Sequence, residues 1–379
     1  MKQNPFIVAG RIPEAYFCDR DAETKQLIKS IENQENVVLI SPRRMGKSEL
    51  ISHCFDFKSV TDNYVTLFID ILHTTSLREL TLELGTAVYR SVAKRSQRML
   101  KAFLSTIRSL SGCFGYDPLS NMPTFNVRLG DITSPEYTLD EIFSFLENAD
   151  KRCVVAIDEF QQIANYPEKN VEAVLRSRIQ RMSNANFIYA GSERHILDEM
   201  FLSANRPFYQ SATIITLNPI ELPVYRAFAT SLFAAAGKRI YGDCFDIVYE
   251  SMQGVTLYLQ RIFHDAFVEE TDGTENDVAI VHRLMDNYVE ENVPRFTQLL
   301  SMLAESQKET LYAILSEGEA RQLMSADFLR RHRLKSASSV QAAVKRLTVF
   351  DIITRTDGAY KLSDPLFRLW LLKRMDVQG

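Results

Sequence analysis

One wholly apolar run, VVLI (residues 37–40), leads straight into SPRRMGKS (41–48) and then into a stretch with helical character. A strand with one wet face alternates apolar and polar residues. A continuous apolar run marks a strand buried on both faces, as in parallel sheets covered by helices. The chain repeats this signature in YVTLFIDI (64–71), CVVAIDEF (153–160), NFIYAGS (186–192) and ATIITL (212–217). Helical spacing fills the gaps. Leu27, Ile28 and Ile31 share a face over 21–33, Lys47 to Phe55 reads as helix, and 76–110 holds more than one helix. Residues 139–148 and VEAVLRSRIQRM complete the set. Strands alternating with helices predict an α/β fold, a parallel sheet with helices on both faces.

Gly46-Lys47-Ser48 is the tail of the phosphate-loop pattern G-x-x-x-x-G-K-[ST], with Ser41 in place of the first glycine. Such a loop works because successive backbone N–H groups and a helix N-terminus converge on an anion. The lysine adds a point charge for the β and γ oxygens, and the serine hydroxyl ligates Mg2+. A Cβ at Ser41 adds about 1 kcal/mol to any positive-φ conformation there but leaves the later N–H groups in place. The candidate nucleotide-binding residues are Ser41, Pro42, Arg43, Arg44, Met45, Gly46, Lys47, Ser48 and Glu49. Alone, three residues do not separate a nucleotide site from an accident of composition.

VVAIDE separates them. Four apolar residues end in Asp158-Glu159, the pattern of a strand that carries a metal-binding aspartate and a base for the attacking water. Asp158 is the candidate Mg2+ ligand beside Ser48, and Glu159 the candidate catalytic base beside Lys47. The strand FIYAGS ends in Ser192, placed where a γ-phosphate sensor belongs; the same serine also suits the cap of the helix beginning at Glu193. Asn186 lies too far back. Charge on a transferring phosphoryl group is often met by an arginine in cis or in trans, for which Arg194 is the first candidate and Arg206 the second. Arg176, Arg178 and Arg181 lie on the preceding helix.

Together NPF…FCDRDAETKQL, LISPRRMGKSEL, VVAIDEFQQIANYPE, NFIYAGSERHILDEMF and RPFYQSATIITLNPIEL resemble the archaeal-type ATPase family. This is a P-loop group related to AAA+ and STAND ATPases, found also in Bacteroidetes. The resemblance runs over nearly the whole chain. It implies an ASCE-type sheet, ATP or ADP as ligand, Mg2+ as cofactor and ATP hydrolysis as activity. It makes Ser41 a tolerated variant, with Pro42 stiffening the loop by fixing φ. It sets Phe17 and Arg20 on the adenine and ribose side; plain core packing also explains Phe17. GVTLYLQ (254–260) resembles the family's lid segment G-x-P-Y-Y-L, with Thr256 at the proline position, and KSASSVQAAVKRL…DGAYKLSDPLFRLWL resembles its C-terminal winged helix.

Strand signals stop at Pro219. Residues 223–300 read as helices broken near Gly237, Gly242, Gly254 and Thr271-Asp272-Gly273. Residues 306–374 read as three helices and a hairpin turning at Asp357-Gly358. The expected division is an ATPase core (1–220), a helical lid (221–302) and a winged helix (303–379), with 111–138 a loop-rich insertion. The 379-residue chain carries a net charge of −4, so the molecule as a whole is no polyanion binder. Residues 306–374 hold thirteen Lys and Arg against seven Asp and Glu, a local +6. That asymmetry suits duplex DNA, through the run Arg330-Arg331-His332-Arg333-Leu334-Lys335 and the helix with Ser336, Ser338, Ser339, Gln341 and Lys345. Winged helices equally bind proteins. An arginine supplied in trans would require a homo-oligomer. Cys18, Cys54, Cys113, Cys153 and Cys244 lack metal spacing and read as reduced thiols of a cytoplasmic protein. No signal peptide or membrane span is expected. The alternative to an ATPase is a non-hydrolysing nucleotide switch or a DNA-binding regulator.

Overall fold

The computed structural model describes residues 4–95, 97–117, 122–269, 271–356 and 358–378. Two units emerge. One is Arg20–Asn218; the other joins Met1–Asp19 to Pro219–Gly379.

In the first unit, β1 (Val37–Ile40), β2 (Tyr64–Asp70), β3 (Arg152–Asp158), β4 (Ala185–Gly191) and β5 (Thr213–Thr216) form one parallel sheet in the order β2-β3-β4-β1-β5. Val37 faces Ile188 on one side and Thr213 on the other, so β1 lies inside the sheet. All four residues of β1 are buried, as are all of β3 but Arg152. Burial on both faces is why these strands carry no alternation. The helices are α1 (Asp21–Glu32), α2 (Lys47–Asp56), α3 (Leu77–Arg95), α4 (Gln97–Thr106), α5 (Pro135–Glu147), α6 (Val171–Ile179) and α7 (Arg194–Leu202). Val38, Ile40, Val155, Ile157 and Tyr189 share one apolar cluster with Leu84, Phe103, Ile142, Leu175 and Leu197 from α3 to α7. Helices α1 and α2 pack on β5 and β4. The chain runs from central β1 to the sheet edge at β2. Open α/β sheets bind ligands beyond the carboxyl ends of their strands, the end from which the loop after β1 leaves.

The insertion differs from the expected loop. Phe114–Asp117 pairs antiparallel with Met122–Phe125, and α5 begins at Pro135, four residues before the predicted helix. Proline at the first helical position loses no hydrogen bond and brings a helical φ, so it starts this helix rather than ending the loop. Pro118 lies outside the described residues.

In the second unit, Phe6 packs on Phe233, Phe263 and Phe267 with ring centroids 5.4–6.1 Å apart, and Asn4 Nδ2 donates to the His264 carbonyl at 2.9 Å. The N-terminal segment thus belongs with helices far along the chain. Those helices are α8 (Leu222–Ala235), α9 (Asp243–Ser251), α10 (Thr256–Val268), α11 (Asn276–Glu291) and α12 (Val293–Ser301). Then α13 (Glu305–Glu317), α14 (Ala326–Arg331) and α15 (Ala337–Val349) precede an antiparallel hairpin of β6 (Ile353–Thr356) and β7 (Ala359–Leu362). Ala320 bridges Tyr360 beside that hairpin, completing a winged helix. Ser325 and Ser336 cap α14 and α15 by accepting from Phe328 N and Ser339 N. Asp357 of the expected turn lies outside the described residues. The final helix α16 (Pro365–Gln378) packs on α11 and α12. At its start Asp364 accepts from Tyr258 (2.8 Å) and Arg295 (2.9 Å). Among the described residues no helix is long and apolar enough to cross a membrane.

Candidate nucleotide site

The loop after β1 reaches α2 through two left-handed residues, Arg44 (φ 67°) and Gly46 (φ 88°). Ser41 is not one of them. The strain expected at Ser41 therefore falls on Arg44, and Ser41, buried, donates its hydroxyl to the Pro42 carbonyl at 2.9 Å. A Cβ at Gly46 would meet nothing within 4 Å, so glycine is needed there for its φ and not for space. Lys47 opens α2 and is buried with Met45, while Pro42 and Arg43 are exposed and Ser48 and Glu49 half-buried.

Ser48 Oγ donates a short hydrogen bond to Asp158 Oδ2 at the end of β3. Asp158 Oδ1 accepts from Glu159 N at 2.9 Å. Burial pushes the Asp158 carboxyl above the usual carboxylate range; the Ser48 hydroxyl and the Lys47 charge oppose that rise. Glu159 has a left-handed backbone (φ 56°), a conformation costly for a side chain of this size and concentrated at functional sites. Its Oε2 accepts from Ser192 Oγ at 2.8 Å, and the Ser192 hydroxyl accepts from Arg43 Nε at 3.4 Å. Ser192 makes no cap: the residue before α7 is Glu193, and no side chain caps that helix.

These contacts bring together Arg43, Ser48, Asp158, Glu159 and Ser192 from three separated stretches of chain. Register explains why. Ile40 is the partner of Gly191 in the sheet, so the loop after β1 and the residue after β4 leave the sheet side by side. Other expected residues lie apart from this group. Arg194 is 53 % exposed and pairs with Asp198 on its own helix at 3.4 Å. Arg206 is held by Glu172 (2.6 Å) and Glu199 (3.6 Å). Arg178 binds Asp140 at 2.6 Å. Arg20 is buried before α1 and donates to Glu23 (3.0 Å) and the Asn218 carbonyl (2.8 Å), leaving its Nη2 without a partner. Phe17 is a half-buried residue of the other unit.

One residue of the group escaped the sequence reading. Gln161 Nε2 donates to Glu159 Oε2 at 2.5 Å. The signal available was weak, a glutamine two positions after the acidic pair.

The donor set fits Mg2+. No cluster of three His, Cys, Asp or Glu able to hold a metal occurs among the described residues. Mg2+ at nucleotide sites does not need one: it takes one or two hard protein oxygens and fills the rest with phosphate and water. The Ser48 and Asp158 oxygens, already in contact, are such a pair.

The basic run of the winged helix is partly neutralised. Arg330 and Arg331 pair with Asp327 at 2.8 and 3.0 Å, and Glu317 takes Arg331 and His332 at 2.5 and 2.8 Å. Arg333, Lys335 and Lys345 are exposed.

Residues 17–262 match a family model described as an ATPase domain predominantly from Archaea, and residues 294–373 match one described as a probable winged helix domain. No curated protein sequence matches the chain. Among solved structures, a Walker-type ATPase of Pyrococcus abyssi is 17 % identical with a TM-score of 0.69, over 97 % of this chain and 99 % of that one. The Aeropyrum pernix ORC2 protein, in ADPNP and ADP complexes, is 14 % identical with a TM-score of 0.61, over 99 % and 98 %. The ORC1 protein of the same organism, in complex with DNA, is 11 % identical with a TM-score of 0.51, over 99 % and 98 %.

Proposed function

We propose, from the premise that this chain belongs to the family of ATPase domains found predominantly in Archaea, that it hydrolyses ATP at the Gly46–Ser48 loop. The contact between Ser48 and Asp158 carries the reading, because it joins the phosphate loop to the acidic strand end that hydrolysis needs. Lys47, at the start of α2, supplies positive charge to the β and γ oxygens along with the N–H groups of residues 43–48. Ser48 and Asp158 would hold Mg2+, which when bound would supply positive charge to the phosphate oxygens. Glu159 accepts the proton of the attacking water. Ser192, already bonded to Glu159, is close enough to the base to sense the γ-phosphate. Arg194 is the arginine most easily recruited: its exposed i,i+4 pair with Asp198 is worth only about 0.3–0.5 kcal/mol. Arg206, held by two carboxylates, is harder to release. Arg20, with its Nη2 left over, is the contact proposed for the base side.

The proposed working parts are the core (1–220, of which residues 1–19 pack with the later helices), a helical lid (221–302) and the winged helix (303–379), with nucleotide state read out by the last two. For the Lys47→Ala variant we expect ATP affinity to fall about 10- to 100-fold, the loss of one charge-assisted hydrogen bond of about 1.5–3 kcal/mol. Calorimetry with ATP measures it, and unchanged affinity would remove this loop as the nucleotide site.

The winged helix is proposed as a contact for duplex DNA. Its local +6 and exposed Arg333, Lys335 and Lys345 support this, and one fold neighbour was solved with DNA. Binding should weaken steeply with salt, and the Arg333→Ala/Lys335→Ala double variant should flatten the log K against log salt slope by about 2. Absence of any shift of a DNA duplex at low salt would overturn the DNA reading.

A further inference from the structure

We infer that Gln161 is a positioning residue for the Glu159 carboxylate and that Gly191 is the gap that admits it. The inference rests on Glu159 being the base. Gln161 lies in the short helical turn Phe160–Asn165 that follows β3 and is 1 % exposed. Its Nε2 donates to Glu159 Oε2 at 2.5 Å, while its own Oε1 is buried without a hydrogen-bond partner. A buried amide oxygen left unpaired is unfavourable, so burial alone does not account for a glutamine here; the bond to the carboxylate does.

Gly191 at the end of β4 makes room for this amide. A Cβ on residue 191 would lie 2.1 Å from Gln161 Oε1 and 2.8 Å from Leu197 Cδ1, closer than side chains approach. Gly191 is absent from the positive-φ positions, so space and not backbone conformation calls for glycine. The next residue, Ser192, donates to the same Glu159 oxygen at 2.8 Å. Two donors from two separate elements therefore converge on Oε2. They fix the side chain's direction and leave Oε1 to take the proton from water. Ser192 is itself bonded to Arg43 of the phosphate loop, so the base is oriented relative to the phosphates by a continuous chain of side chains. Holding a base to better than about 1 Å is worth about 100-fold in rate.

The test compares Gln161→Met, which keeps volume and removes both polar atoms, with Gln161→Ala in the full-length protein. Both should lower kcat for ATP about 10- to 100-fold, with KM within about threefold of native. Glu159→Gln and the Glu159→Gln/Gln161→Met double variant should hydrolyse ATP at the same residual rate in long single-turnover assays, because a residue that acts only through the base has nothing left to act on. A Gln161→Met protein with native or higher kcat, or one altered only in KM, overturns the inference. So does a double variant slower than Glu159→Gln by the full Gln161→Met factor. If Glu159→Gln itself keeps native turnover, the base assignment fails first, and that outcome is read from a different protein.

Discussion

Glu159→Gln is expected to cut ATP turnover by about 100- to 10,000-fold, the usual contribution of a positioned base, while ATP affinity stays within about threefold. The split follows from geometry. Affinity comes from Lys47, the loop N–H groups and the Ser48–Asp158 pair, none of which the substitution touches. The amide oxygen of a glutamine can still accept from Ser192 and Gln161, which lie 2.8 and 2.5 Å from Oε2, so the local fold survives. What disappears is the capacity to take a proton. Steady-state phosphate release and calorimetric ATP binding measure the two halves separately. Turnover above about a tenth of native would show that another group, or none, activates the water.

The second large effect is on stability. Phe208 is fully buried and packs edge-on or tilted against three other rings: Phe160 at 5.3 Å, Phe201 at 5.3 Å and Tyr189 at 5.4 Å between centroids. Phe208→Ala should destabilise the Arg20–Asn218 unit by about 3–5 kcal/mol, the cost of emptying an aromatic site that neighbours cannot collapse to fill. Denaturant unfolding of full-length protein, followed by a probe in that unit, measures this. A loss under about 1 kcal/mol would mean the aromatic cluster repacks. The effect should also reach the site, because Phe160 adjoins Glu159 in sequence and Tyr189 lies two residues before Gly191.

The sheet was readable from sequence because its strands are buried on both faces. VVLI and VVAID could not be helix faces or half-exposed strands without stranding apolar residues in water. The helix expected from residue 139 begins at Pro135 for the opposite reason: proline both ends loops and begins helices, and only the backbone around it decides. The GKS triplet and the DE pair carried the nucleotide chemistry because few residue types can do that work. Gln161 carried no such signal. Its importance comes from lying against Gly191, thirty positions on, a contact that exists only after β3 and β4 pair. The arginines were opaque likewise. Arg330 and Arg331 count as positive charge in a sequence, yet Asp327 on their own helix and Glu317 on the preceding one pair with them. A sum along the chain includes those acids but does not say which cations they hold and which, like Arg333 and Lys335, stay exposed.

The place of β1 inside the sheet has a consequence for synthesis. Among the described residues, the sheet partners of Val37 are Ile188 and Thr213. At about 5–20 residues per second of translation, the first of these follows it by roughly 8–30 s. Through that interval four apolar residues and their unpaired backbone have no sheet to join, while β2 and β3, adjacent in space, can pair first. The nascent chain should therefore be most exposed to aggregation and to chaperone capture between the emergence of residues 40 and 188. Chains halted before β4 emerges should lack Ser192 and the strand that sets the phosphate loop beside it.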